Sequence, residues 1–396
     1  ALGQIGLPGG GYGYALGAIG YYGRRANAVP GPTLSQGRNR HGNFIPVARI
    51  ADMLLNPGAE YRYNGRTRTY PDIRLVYWAG GNPFHHHQDL NRLRQAFARL
   101  DTLVVHELAW TATARHADIV LPATMTLERE DIGYSSHDPL MVAMHRIAPP
   151  FGEAQDDYDI FAGLCRRLGV EEAFTEGRTS REWLRHLYAR TQQGLHEAGL
   201  PAPDFEEFWA KGTLALPQAD DDGGPWRAFR EDPEANPLPT PSGRIEIASE
   251  TIAGYGEASC PGHPAWLPPE EVPGPGTPLH LVANQPATRL HSQLDFGDHS
   301  VASKHRGREV ASMHPDDAGP RGIADGDIIR LFNGRGACLA AVRLTTDIRP
   351  GVVQLATGAW YDPEDPEEER SLCVHGNPNV LTRDAGRRIR SLESLR

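Results

Sequence analysis

The chain has 396 residues, enough for two or three domains and at least one large core. Apolar residues make up 39% and charged residues 23%, an ordinary globular balance, and a formal net charge of -10 argues against a duplex nucleic-acid binder, which would more often be basic. No stretch is long and apolar enough to span a bilayer.

In chain order, the opening "ALGQIGLPGGGYGYALGAIG" has no basic lead and no cleavage site, so it does not read as a signal peptide. It lacks an initiator Met, and the chain is expected to begin inside a longer protein. The first forty residues, rich in glycine and aromatics, read as loop. "FIPVARIADMLLNPG" predicts a short helix stopped by Asn56-Pro57-Gly58. "DIRLVYWAGG" predicts a buried strand running into a tight turn. A helix carrying Leu90, Leu93, Phe97 and Leu100 at helical spacing follows, then buried strands at "LDTLVVHEL" and "HADIVLP". Strand, helix, strand at this pitch implies a parallel sheet covered on both faces.

"DDYDIFAGLCRRLGV" predicts an amphipathic helix opened by Asp and closed by Gly169, and "TSREWLRHLYARTQ" another opened by Thr179 or Ser180. Residues 201–240 read as loop-rich, with an acidic patch at "ADDDGG", and "PSGRIEIAS" as a short strand. The Pro-rich stretch at 260–278 is the linker candidate. Beyond it, "LHLVAN", "GDIIRLFN", "GACLAAVRLT" and "GVVQLA" are short runs parted by Gly, Asp and Asn, the pattern of a barrel or sandwich. No internal repeat is found. Cys165, Cys260, Cys338 and Cys373 lie far apart with no CxxC pair, so this segment carries no zinc-ribbon or Fe–S signature. Four unpaired thiols in a reducing compartment are the plainer reading, with a disulfide as the alternative, and cytoplasm is slightly favoured over periplasm.

Several stretches carry chemistry. In Gly80-Gly81-Asn82-Pro83, Asn82 suits an N-cap and Pro83 the first helical position. A helix start after a glycine turn suits a phosphate, and Glu107, 26 residues past Gly81, sits where a doubly wound nucleotide site places a ribose-binding acid. The GxGxxG fingerprint is absent, so a plain βα turn competes. His85, His86 and His87 are neighbours on a helix and cannot share one metal well; a water-exposed helix start is the plainer reading. Arg129 offers a planar fork to phosphate, or a surface salt bridge to Glu128 or Glu130. Asp159 could accept from a purine amino edge or pair with an Arg. "NQPATRLHSQLD" packs Asn284, Gln285, Arg289, His291, Ser292 and Gln293 into one loop at a strand exit, which suits a polyanionic ligand rich in heteroatoms. No GxSxG elbow supports a serine nucleophile.

"YWAGGNPFHHHQDLNRL", "TATARHADIVLPATMTLERED", "DDYDIFAGL", "NQPATRLHSQLD", "GAWYDP" and "GNPNVLTRD" occur in this order. Together they resemble the C-terminal half of the dimethyl sulfoxide reductase family of molybdopterin oxidoreductases, in the branch of biotin sulfoxide, trimethylamine N-oxide and dimethyl sulfoxide reductases. The resemblance runs from Leu2 to Asp384. It implies an α/β fold: a Rossmann-like parallel sheet region over 1–259, a linker at 260–278, and a six-stranded double-psi β-barrel over 279–396. It implies a molybdenum bis(molybdopterin guanine dinucleotide) cofactor and two-electron removal of oxygen from an S-oxide or N-oxide, with an electron donor protein or reductase as partner. By motif, Asn82 and His86 would contact one dinucleotide and His106 and Glu107 its nucleoside end. Arg129 and Asp159 would reach phosphate and guanine. Ala283, Asn284, Gln285, Pro286, Arg289, His291, Ser292 and Gln293 would hold the pterin and its phosphates, and Asn379 would add a contact. The metal ligand and the aromatic residues beside it belong to the N-terminal half, so no catalytic residue and no metal ligand is named here. The tail "RRIRSLESLR" departs from the family, whose Thr-Ser and Gln-Gly segment is expected at that point; a frameshift or a truncation is the expectation, with one cofactor contact missing. Two rivals remain: a non-catalytic cofactor-binding or assembly protein, and a metallohydrolase built on the histidine run.

Overall fold

Asn64 and Gly65 both hold left-handed φ, of 48° and 72°, and close a two-residue turn between antiparallel strands Glu60–Tyr63 and Arg66–Thr69. The sequence reading passed over this hairpin, although Asn-Gly between polar-aromatic alternation is its usual signal. The computed structural model describes residues 3–5, 7, 26–219 and 226–385. The glycine-rich run at 8–25, the acidic patch beyond Ala219 and the basic tail lie outside the described residues. The chain divides into two compact units, one of Ala1–His41 with Pro122–Ile247 and one of Gly42–Leu121 with Ala248–Arg396.

In the second unit, strands Leu75–Ala79, Thr102–Glu107 and Ile119–Pro122 form a three-stranded sheet, the first two parallel in register from Leu75 opposite Thr102 to Ala79 opposite His106. Helix Leu90–Phe97 lies in the connection between them, capped by the Asp89 carboxylate on the Arg92 amide at 3.2 Å. It is shorter than the periodicity suggested: Leu100 falls outside it. Strand Leu75–Ala79 is also less buried than its apolar run implied, because it stands at the edge of the sheet, with Leu75 56% exposed.

The C-terminal strands form a mixed five-stranded sheet in the order Ile328–Phe332, Ala337–Leu344, Val310–Met313, Val352–Leu355, His280–Val282. Four of these were legible as short apolar runs. The central one, Val310–Met313, was not; it pairs parallel with Ala337–Leu344 and antiparallel with Val352–Leu355. Phe84, Leu90, Leu93 and Phe97 share one core with Met313, Leu355 and Tyr361. That shared core is why residues 42–121 group with the C-terminal strands and not with the rest of 1–259.

The first unit is built on helices Asp157–Arg167, Ser180–Glu197 and Phe205–Lys211 and a small antiparallel sheet of Asp131–Gly133, Leu140–Met144 and Thr213–Ala215. Thr179 and Glu182 form a reciprocal capping box at the long helix. Asp204 and Glu207 form another, which turns "DFEEFWAK" into a helix within a region expected to be loop. Tyr188, Phe208 and Met141 anchor its core. "PSGRIEIAS" makes no strand: its residues run through turns and bends.

Candidate cofactor site

Strand Leu75–Ala79 ends at Gly80 and Gly81, whose φ of 85° and 82° turn the chain sharply. A Cβ at Gly80 would meet open space, so the turn presents bare backbone outward. Asn82 then takes the N-cap position and Pro83 the first helical one, but the helix is a single turn, Pro83–His86. The Asn82 side chain does not cap it. It donates instead to Glu107 Oε1 at 3.2 Å and accepts from the Thr113 hydroxyl. Glu107 is gripped further by the Leu108 amide at 2.8 Å and the Thr111 hydroxyl at 3.1 Å. Burial pushes its carboxyl above the ordinary range, and those three hydrogen bonds pull it back. Beside it, His106 Nε2 meets the Tyr77 hydroxyl at 2.6 Å. Two neighbouring strand ends are thereby locked together around the glycine turn.

The three histidines are not a water-exposed helix start. His85 and His87 are 1% and 8% exposed, and only His86 faces outward. Burial holds His85 at about 3 and His87 at about 4, so both rings are neutral. His85 Nε2 accepts from the Ala112 amide at 3.3 Å, which puts its proton on Nδ1, and its carbonyl accepts from Asn379 Nδ2 at 3.2 Å. Its ring stacks on Trp360, centroids 5.0 Å apart. His86 is crowded by the surrounding protein and by His291, and both push its pKa down.

The donor-rich loop leaves strand His280–Val282 and is tied at both ends. The Thr357 amide donates to the Asn284 carbonyl at 2.9 Å, and Gln285 Nε2 stands 3.1 Å from His291 Nδ1. The Trp360 indole N–H donates to the Ser292 carbonyl at 2.9 Å. Ala283, Asn284, Gln285, His291 and Gln293 are exposed, while Pro286 and Ser292 are half-buried. His291 and Leu294 hold left-handed φ of 53° and 54°, a strained backbone that packing must maintain. Arg289 differs from its neighbours. Its side chain is 1% exposed and its guanidinium is turned inward, donating to Ser300 Oγ at 3.0 Å and the Thr357 carbonyl at 3.2 Å, and pairing with Glu309 at 3.0 Å. The sequence carried no sign of this inward turn. Thus Asn82, His86, His106, Glu107, the 283–293 loop and Asn379 belong to one unit, linked through His85 and Trp360.

Arg129 and Asp159 belong to the other unit. Arg129 makes neither of the salt bridges weighed from sequence. It donates to the Thr124 carbonyl at 3.2 Å and stands 3.6 Å from Asp131, while Glu128 takes the Met125 and Phe151 amides and Glu130 pairs with Arg181. Asp159 lines a cleft of about 580 Å³ with Tyr158, Arg166, Thr175 and Arg178. Burial first, and the Asp156 carboxylate second, raise its pKa.

The donor set fits a large ligand crowded with acceptors. Near the glycine turn, Trp78 Nε1, His85 Nδ1 and His87 Nε2 are buried without a hydrogen-bond partner, and Trp78 Nε1 sits 3.4 Å from where a Gly81 Cβ would stand. The exposed amides of Asn284, Gln285 and Gln293 add neutral donors on a rigid loop.

Residues 1–167 match the family model described as Molybdopterin oxidoreductase, and residues 279–391 match the Molydopterin dinucleotide binding domain. The chain is 49% identical over 388 residues to biotin sulfoxide reductase of Cereibacter sphaeroides, across 97% of this chain and 52% of that protein. It is 45% identical over 406 residues to dimethyl sulfoxide/trimethylamine N-oxide reductase of Rhodobacter capsulatus, across 97% and 49%. It is 40% identical over 408 residues to trimethylamine-N-oxide reductase 1 of Escherichia coli strain K12, across 97% and 48%. The chain spans about half the length of the curated relatives it matches. Among solved structures, acetylene hydratase from Pelobacter acetylenicus superposes with a TM-score of 0.57 at 21% identity, over 78% of this chain and 41% of that one, a likeness of fold. The matched domains imply molybdenum carried on a molybdopterin guanine dinucleotide. The chain belongs to the molybdopterin oxidoreductases of the dimethyl sulfoxide reductase family.

Proposed function

We propose that this chain supplies part of the cofactor cleft of a molybdenum-dependent S-oxide or N-oxide reductase whose centre carries two molybdopterin guanine dinucleotides. The net reaction takes an S-oxide or N-oxide, two electrons from a donor protein or reductase and two protons, and yields the sulfide or amine and water. The bound metal centre supplies the two-electron chemistry; the protein binds, orients and excludes water. The observation that carries this reading is the sequence identity along 97% of the chain to S-oxide and N-oxide reductases.

In this reading the Gly80-Gly81 turn, Asn82 and His86 receive one dinucleotide, with His106 and Glu107 at its nucleoside end. The exposed donors of the 283–293 loop and Asn379 face the pterin. Arg129 and Asp159 serve phosphate and guanine. The five C-terminal strands belong to a six-stranded double-psi barrel over 279–396, joined through 260–278 to a dinucleotide-binding region over 1–259. The metal ligand comes from the polypeptide matching the other half of the relatives, so this chain alone does not turn over. Purification of the full gene product tests the reading. Molybdenum, pterin fluorescence and guanine nucleotide should all be present, and reduced viologen dye should be oxidised with dimethyl sulfoxide or trimethylamine N-oxide. A product without pterin or molybdenum refutes it.

A further inference from the structure

Beneath the 283–293 loop lies a cluster of five ionisable side chains that neither composition nor motif announced. Asp295, 2% exposed, is its hub. One oxygen pairs with Lys304 at 2.6 Å and Arg289 at 3.3 Å; the other stands 2.8 Å from His375 Nε2 and accepts from the Trp360 amide at 3.1 Å. Glu309 closes the cluster, 3.0 Å from Arg289 and 3.6 Å from Lys304. Two buried acids thus meet two buried cations, and removing one acid leaves a cation uncompensated.

Two spokes of this hub reach the loop or its support. Arg289 lies within the loop and holds the Thr357 carbonyl, and the Thr357 amide holds Asn284. Trp360, fixed by Asp295 through its amide, holds Ser292 through its indole and stacks on His85 beside the glycine turn. Gly358 lets the two segments touch: a Cβ there would sit 1.9 Å from the His291 carbonyl oxygen.

We propose that Asp295 is the positioning residue of the pterin-facing loop, and that Arg289 acts through it, bracing the loop from beneath without touching the cofactor. The inference rests on the cofactor reading above for what the loop holds, but not for how the loop is held. The test uses the full gene product made in a host unable to synthesise molybdopterin, so bracing is read without ligand. In Asp295→Asn and in Arg289→Met, exchange of the Thr357 and Trp360 amides should accelerate at least tenfold, while amides of strand Thr102–Glu107 keep their protection. The double variant should exchange no faster than the worse single one, because both remove the same device. Exchange within twofold of wild type in both single variants, or multiplicative effects in the double variant, overturns the proposal. Trp360→Phe leaves the charges in place and removes the indole donor to Ser292 while keeping an aromatic ring beside His85, and so keeps the test alive if the charge variants fail to fold. In the cofactor-replete host it should lower pterin per chain several-fold with an unchanged melting temperature; unchanged pterin counts against the bracing. If wild-type protein itself holds no pterin, the cofactor reading fails and the exchange data still decide how the loop is held.

Discussion

Gly358→Ala probes the contact on which the loop's geometry depends. Gly358 has φ of 90°, and an added Cβ would stand 1.9 Å from the His291 oxygen, 2.6 Å from its carbonyl carbon and 3.3 Å from the Ser292 nitrogen. An ordinary carbon–oxygen contact is about 3.3 Å, so one backbone must retreat by roughly 1.4 Å. His291 cannot yield freely, because the next carbonyl is held by Trp360. Left-handed strain costs about 1–2 kcal/mol and overpacking about 1–3 kcal/mol, so about 3 kcal/mol is expected in sum. For a unit of this size that is a fall of about 6–12 °C in melting temperature. Gly256→Ala is the control: its φ of 65° carries the strain, but a Cβ there meets nothing within 4 Å. It should cost about 1 kcal/mol. Differential scanning fluorimetry of the two variants separates strain from collision. If Gly358→Ala melts no lower than Gly256→Ala, the close packing of 357–360 on 291–292 is wrong.

Three further outcomes follow from the site. Asn82→Asp sets a carboxylate against Glu107 and removes the donor it accepts from; urea unfolding at pH 7 should show a loss of about 1–3 kcal/mol, and wild-type stability would contradict the Asn82–Glu107–Thr113 network. His85 and His87 are neutral when folded down to about 3 and about 4, against an ordinary 6.5, so the unfolded chain binds protons first. Their contribution is complete above pH 6.5 and is lost as pH falls toward 4, by up to about 1.4 kcal/mol per pH unit for each ring. His87→Gln, which disturbs no hydrogen bond of the Nε2 atom, should flatten the urea midpoint between pH 6.5 and 4; an unchanged slope would show that His87 is not neutral by burial. Asp159→Ala should lower guanine nucleotide released from the replete enzyme several-fold with no fall in melting temperature, because among the described residues no cation pairs with Asp159, and burial and the Asp156 carboxylate both disfavour its charge; unchanged nucleotide content would remove Asp159 from the site.

What the sequence disclosed and what it hid divide along a physical line. Features set by a few adjacent residues were readable. Gly80-Gly81-Asn82-Pro83 announced a strand ending and a helix beginning, and Thr179 or Ser180 announced a helix start, since turns and caps are local hydrogen-bond problems. Asn64-Gly65 and "DFEEF" carried the same kind of signal and were missed for want of weight, not of information. Partners chosen across the fold were not readable. Asn82 looks like a cap and instead serves Glu107; His85 and His87 look like a polar surface and instead are buried; Val310–Met313 is the centre of its sheet but has too short an apolar run to declare it.

Arg289 shows why such misreadings gather at the site itself. A loop that must hold a charged group needs donors facing out, and it needs its own backbone held against strain. Arginine is suited to both duties, since its planar fork matches a phosphate and a buried carboxylate equally well. Composition cannot tell which duty a given arginine has. The deciding fact is whether acids lie beneath it, and here they come from Asp295 and Glu309, six and twenty residues along the chain, with His375 closing the ring from farther still. A buried guanidinium facing two carboxylates would lose both partners by swinging outward, and would strand those carboxylates in a low-dielectric interior. The exposed side chains around it, Asn284, Gln285, His291 and Gln293, are paired with no buried charge, and they face solvent where a ligand can reach them.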